Sequence, residues 1–233
     1  GSTPAQSAEV EAQTIQIIGT ATPLHAGASE SVVYEELHTL DAAGLHRSVS
    51  YRHNGREFAS KTVNYAADAI APDFMQQDMR RGEMIAARRD GQGRIELGYR
   101  EKTGAPERWQ RLESSVRPLV IDAGFDNFVR RQWGSLLQGD AIHIDFAVPS
   151  RTQAVHLVIV STRVSDCAEP RIRDGHCLRV YAGNYLVRLF FGPLHLLYDN
   201  DGQLQRFMGL SNINDGKGDG QQLRIDYRRA PSP

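Results

Sequence analysis

DAGFDNFVRRQWGSLLQG, residues Asp122 to Gly139, is the stretch on which the fold turns. Phe125, Phe128, Val129, Trp133, Leu136 and Leu137 recur at helical spacing, while Asn127, Arg130, Arg131 and Ser135 fall largely elsewhere. Asp122 or Asp126 is placed to cap the amino end, and Gly139 to end the helix in a left-handed residue. The spacing predicts one helix over 122–139. Fully burying a leucine- or phenylalanine-sized side chain contributes about 1.5–3 kcal/mol, so six such residues make this helix a major core element. The rest of the chain alternates like a sheet. The expected fold is mainly β (α+β): a curved antiparallel sheet, or an unclosed β-barrel, wrapped around a central helix.

Working outward, the strands before the helix read as a meander. Thr14 to Ile18 is the first, ended by Gly19 and Pro23, and Val32 to Leu40 follows with faces Val32/Tyr34/Glu36/His38 and Val33/Glu35/Leu37/Thr39. Arg47 to His53 and Arg56 to Tyr65 flank Asn54-Gly55, a hairpin signal because a type I′ turn needs positive φ at both positions. Pro72 to Arg81 reads as a short helix opened by proline or an irregular connection. Glu83 to Arg89 and Arg94 to Glu101 enclose a glycine turn, Glu107 to Glu113 is a polar strand near an edge, and Arg117 to Ile121 leads into the helix.

Beyond the helix, Ile142, Ile144, Phe146 and Val148 share one face, with His143 and Asp145 on the other. Val155 to Val160 is apolar on both faces and therefore central. Leu178 to Tyr181 returns, and Tyr185 to Phe191 is ambiguous between helix and strand. The hairpin Leu194 to Tyr198 and Leu204 to Met208 turns on Asn200-Asp201-Gly202, and Leu223 to Tyr227 is the last strand. The expected organisation is one β-rich domain over 13–229. A disordered segment with a cloning scar at Gly1-Ser2 precedes it over 1–12, and a tail covers 230–233.

Composition narrows the function classes. A formal net charge of −1 over 233 residues argues against a generic nucleic-acid binder, which needs a basic surface. No apolar run approaches the roughly 20 residues of a membrane span. The polar, alanine-rich start after Gly1-Ser2 is how a secreted chain often begins once a signal peptide is removed. Cys167 and Cys177 are the two cysteines. A disulfide between them requires an oxidising compartment and closes a loop worth about 3 kcal/mol. Two thiols, or half of a metal site lacking its second half, are the alternatives.

Two segments carry a resemblance. YDNDGQLQRFMGLSNINDGKGDGQQLRIDY, Tyr198 to Tyr227, and DAGFDNFVRRQWGSLLQGDAIHIDFAVPSR, Asp122 to Arg151, resemble the ending and middle of a group of uncharacterised exported bacterial proteins. In architecture such proteins are similar to the lipoprotein-carrier (LolA-like) half-barrels, where an unclosed antiparallel barrel covered by helices holds acyl chains. The resemblance implies a periplasmic location and an apolar ligand; it transfers no individual residue.

Constellations with possible chemistry are each outweighed by a plainer reading. Glu36 and His38 share a strand face but lack an identifiable third metal ligand, and His143/Asp145 reads as a solvated face. Gly209-Leu210-Ser211-Asn212-Ile213 lacks the second glycine of a nucleophile elbow and reads as a turn. Asp215 to Gly220 lacks calcium-loop spacing and reads as a hairpin. No metal, cofactor or catalytic residue is assigned, and a non-enzyme is the expectation. The expected function is a periplasmic protein binding a lipid or acyl chain between sheet and helix, lined by Phe125, Phe128, Val129, Trp133, Leu136, Leu137, Ile144 and Phe146. The alternatives are an envelope-assembly module with a protein partner and a solid core, and a hydrolase using groups near Glu36 and His38.

Overall fold

The computed structural model describes residues 14–25, 31–167, 174–188 and 192–230. The expected disordered start, most of the tail and parts of the His25–Ser31, Cys167–Cys177 and Tyr185–Phe191 segments lie outside these residues. Eight strands come first: β1 (Ile15–Pro23), β2 (Tyr34–Leu40), β3 (His46–His53), β4 (Arg56–Asn64), β5 (Asp73–Asp78), β6 (Glu83–Arg89), β7 (Ile95–Arg100) and β8 (Arg108–Arg111). A two-residue β9 (Leu119–Val120) precedes α1 (Gly124–Arg131) and α2 (Trp133–Leu137). Then come β10 (Ile142–Val148), β11 (Gln153–Thr162), β12 (His176–Ala182), α3 (Tyr185–Arg188), β13 (Leu194–Tyr198), β14 (Leu204–Leu210) and β15 (Gln222–Arg229).

Among the described residues, fifteen strands form one sheet, in the order β8-β7-β6-β5-β4-β3-β2-β1-β15-β14-β13-β12-β11-β10-β9. Each neighbouring pair is antiparallel except β9 and β10, which run parallel through Leu119 and Val120. The chain thus builds two meanders that are joined where its first strand pairs its last, Ala21 opposite Ile225. The sheet does not close, leaving β8 and β9 as edges. It nevertheless curls: Ile121 and Ala147, from the β9–β10 side, share a core cluster with Val63, Phe74 and Leu97 of β4, β5 and β7. Asn54 and Gly55 both have positive φ (50° and 74°), as the hairpin signal predicts.

Three expectations need correction. The 122–139 segment is two short helices, because Gln132 (φ −97°, ψ 9°) leaves helical geometry and its N–H is shared between Phe128 and Val129 carbonyls. The break lets Trp133 pack edge-on against His176 and Tyr198, 5.2 and 5.8 Å between ring centres, while Leu137 ends up outside the core, 46% exposed. No carboxylate caps α1; its N-cap is Ala123, and Asp122 is engaged elsewhere. Second, the sheet does not wrap around these helices alone. Phe128, Val129 and Leu136 join one cluster with inner-face residues of β10–β13, while separate clusters form around Tyr34/Tyr51 and around Phe74/Leu97. Third, Pro72 to Arg81 contains strand β5, whose inner row Phe74, Gln76 and Asp78 is buried. Two of those three are polar, so the row carries no apolar alternation; partners remote in sequence make its burial tolerable.

Cys167 and Cys177 form a disulfide with Cα atoms 5.7 Å apart. Both sulfur-bearing residues are buried with Leu197, so the bond closes its loop onto a small satellite core.

Candidate functional site

The seat beneath the helices is built from the residues that the helical spacing singles out. Phe128, Val129, Leu136 and Ile144 are fully buried, Phe125 and Phe146 are half-buried with rings 6.2 Å apart, and Trp133 is half-buried. Ser161 Oγ donates to the Leu136 carbonyl at 2.6 Å, and the Tyr198 hydroxyl donates to Asp126 at 2.6 Å, tying both helices down. Seven of the eight expected lining residues therefore meet here, with Leu137 turned away.

The inner face of β1–β5 and β15 is different in kind. Glu36 is 4% exposed, and its Oε2 lies 2.6 Å from His38 Nε2. Gly19 sits opposite both Glu36 and Tyr227, and a Cβ there would lie 2.8 Å from the Tyr227 ring, so only glycine lets that ring lie inward. Burial first, and the Glu36 charge second, push the phenols of Tyr34, Tyr51 and Tyr227 well above their ordinary range. All three are neutral across physiological pH. Lys61 Nζ meets both Asp122 oxygens at 2.8 and 2.9 Å, joining β4 to the entry of α1. Asp122 holds a positive φ of 42° to make this contact.

One end of this interior is plugged by the Ser211–Gln221 segment. Ser211 Oγ and the Tyr34 hydroxyl lie 2.8 Å apart, and Ser211 Oγ also accepts from the Ile213 N–H, the local turn expected of that serine. Gln76 Nε2 donates to the Asn212 carbonyl while Asn212 Nδ2 donates to Gln76 Oε1, both at 3.1 Å. Asn214 Nδ2 donates to Glu83 at 3.1 Å. Asp215 Oδ1 accepts from the Lys217 and Asp219 N–H groups, so that acidic turn spends its carboxylate on its own backbone. Among the described residues, no three histidine, cysteine, aspartate or glutamate side chains gather in a metal-binding cluster. Ser211 is thus bonded to Tyr34, while His38 is bonded to Glu36.

Beside the plug, a cleft of about 540 Å³ opens between the β3–β4 hairpin, the end of β5 and the turn at Asp215. Val33, Tyr34, Phe58 and Met79 give it apolar walls, and Arg56, Arg80, Glu57 and Asp215 rim it. The Arg80 guanidinium stacks 4.0 Å over the Phe58 ring while pairing with Asp78 at 2.6 Å. Met79 is 57% exposed. The sequence held one signal for this cleft's wall: residues of the β2 and β4 rows alternate, but which loops meet them is not written locally.

Among solved structures the chain is similar to a beta-barrel-like protein of domain of unknown function DUF1849 from Brucella abortus, at 8% identity over 93% of this chain and 95% of that one, with a TM-score of 0.51. A porin-like protein from Bacteroides uniformis aligns at 8% identity over 93% and 97% of the two chains, with a TM-score of 0.24 that carries no argument. No protein-family model and no curated protein matches the chain. The fold and the likeness to the DUF1849 protein define a barrel-like, mainly antiparallel class of unknown function. Among the described residues, no helix is long and apolar enough to cross a membrane.

Proposed function

We propose that this protein is a periplasmic, non-catalytic binding protein that takes a lipid or other apolar ligand in the cleft walled by Val33, Tyr34, Phe58 and Met79. The cleft carries the reading. Its volume falls within the roughly 300–1,000 Å³ typical of ligand pockets, and it combines apolar walls with a rim of guanidinium and carboxylate groups. The helix seat is less favoured, because Phe128, Val129, Leu136 and Ile144 are already buried against one another. The Cys167–Cys177 disulfide supports an oxidising compartment. The likeness to lipoprotein carriers read from the sequence fits this use of an unclosed barrel.

Met79→Asp is the informative variant, since the side chain is exposed and a charge there enters the cleft without entering the core. Native mass spectrometry of the purified protein should show bound acyl material that organic extraction releases. A fluorescent fatty-acyl probe should bind Met79→Asp at least about tenfold more weakly, the loss of one buried side chain's contact. Equal binding to wild type and variant, or no bound acyl material at all, overturns the proposal.

A further inference from the structure

The interior end opposite the plug holds three polar atoms without partners: Arg47 Nε, His38 Nδ1 and the Tyr65 hydroxyl, each out of contact with solvent. Arg47 adjoins each of the other two by register. It stands opposite Leu40 and Val63; Tyr65, two residues beyond Val63, is diagonal to it on one side, and His38, two residues before Leu40, on the other. Val49 and Val63 are buried on the same row, so Arg47 points inward with them. Tyr65 is 7% exposed, and a buried hydroxyl without a partner costs about 1–3 kcal/mol. His38, at 15% side-chain exposure, marks where this corner meets solvent.

Each carboxylate nearby has a partner in contact. Glu36 has His38, Asp122 has Lys61, and Asp126 has the Tyr198 hydroxyl with Arg130 one helical turn away. Arg47 makes no ion pair and no hydrogen bond among the described residues. We propose that Arg47 and Tyr65 form an internal binding site for a carboxylate. The guanidinium supplies a planar fork matched to a carboxylate, and the phenol adds a second donor. A monoanion suits the site better than a dianion, which the field of Glu36, Asp122 and Asp126 repels more strongly. This site is distinct from the cleft beside Phe58 and does not depend on that cleft being occupied.

The test titrates acetate, laurate, methyl laurate and sulfate into the ¹⁵N-labelled protein while following the Arg47 Nε–H resonance and the thermal midpoint. A carboxylate should shift the resonance saturably and acetate should raise the midpoint, whereas methyl laurate should leave the resonance unshifted. Tyr65→Phe, which removes only the hydroxyl, should weaken binding about tenfold, in line with about 1.5–3 kcal/mol for a hydrogen bond to a charged group. Arg47→Met should abolish it. Met79→Asp should leave it unchanged, which separates this site from the cleft. Laurate binding far more tightly than acetate identifies a fatty acid as the source of the carboxylate, and comparable affinities identify a small free acid. No saturable shift with either carboxylate, or equal binding in Tyr65→Phe, leaves ordered water as the only occupant and overturns the proposal.

Discussion

Lys61 and Asp122 show how much a single buried pair decides. Their side chains are 7% and 11% exposed, and Asp122 adopts a left-handed backbone to reach the ammonium. Removing one partner strands the other charge, at a cost of about 3–5 kcal/mol, while replacing the pair by apolar groups is often neutral. Asp122→Asn should therefore lower unfolding stability by more than the double change Lys61→Met/Asp122→Asn, in which no charge is stranded and asparagine keeps the left-handed backbone, a contrast that urea denaturation measures. Glu83 tests the opposite sign. Burial, reinforced by Asp78, holds its carboxyl above the usual range despite the Asn214 hydrogen bond. A carboxyl raised on folding contributes stability below its unfolded value, and that contribution is lost as pH rises through the folded value. Glu83→Gln, which keeps an acceptor for Asn214, should be more stable than wild type at pH 7, with the advantage vanishing below about pH 4.5. An advantage that grows on acidification would contradict this assignment.

Among the elements, the disulfide and the broken helix are the most informative. Closing the ten-residue separation between Cys167 and Cys177 removes unfolded-state entropy worth about 3 kcal/mol. The Cys167→Ser/Cys177→Ser variant should lose that amount in equilibrium denaturation and match reduced wild type. The helix was legible as a helix from Phe125, Phe128, Val129 and Leu136, all of which pack as the spacing requires. Its break at Gln132 was not. Gln132 itself is neither glycine nor proline, although Gly134 follows two residues on, and the break accompanies the packing of Trp133 on His176 and Tyr198, rings contributed by β12 and β13. Strand β5 failed the same way: Gln76 lies in a buried row because Asn212, 136 positions away, satisfies it.

For the whole molecule, the joining of the first strand to the last governs cooperativity. β1 pairs β2 on one side and β15 on the other, so the centre of the sheet is made from the two ends of the described chain. Edge strands β8 and β9 have one neighbour each and few residues. Native-state hydrogen exchange should protect the amides of Gly19 to Ala21 and Ile225 to Tyr227 at close to the global stability, while Arg108 to Arg111 exchange through local opening. Early exchange at β1 would mean that the two meanders separate as independent units.

The sequence by itself determined the class of fold. Alternation marked most strands, Asn54-Gly55 marked a turn, and Glu107 to Glu113 marked an edge, because these depend on contacts between near neighbours and on the period of a pleat. Cys167 and Cys177 were paired for a similarly local reason. Tertiary structure alone decided which polar residues lie inside. Glu36, Arg47, Lys61 and Tyr65 look like ordinary solvated strand positions in the chain, Gln76 does not look like a strand position at all, and Arg47 shares the parity of Val49 and Tyr51 as its only signal. Their burial follows from curvature of the sheet and from partners on distant segments, energies that no local window contains.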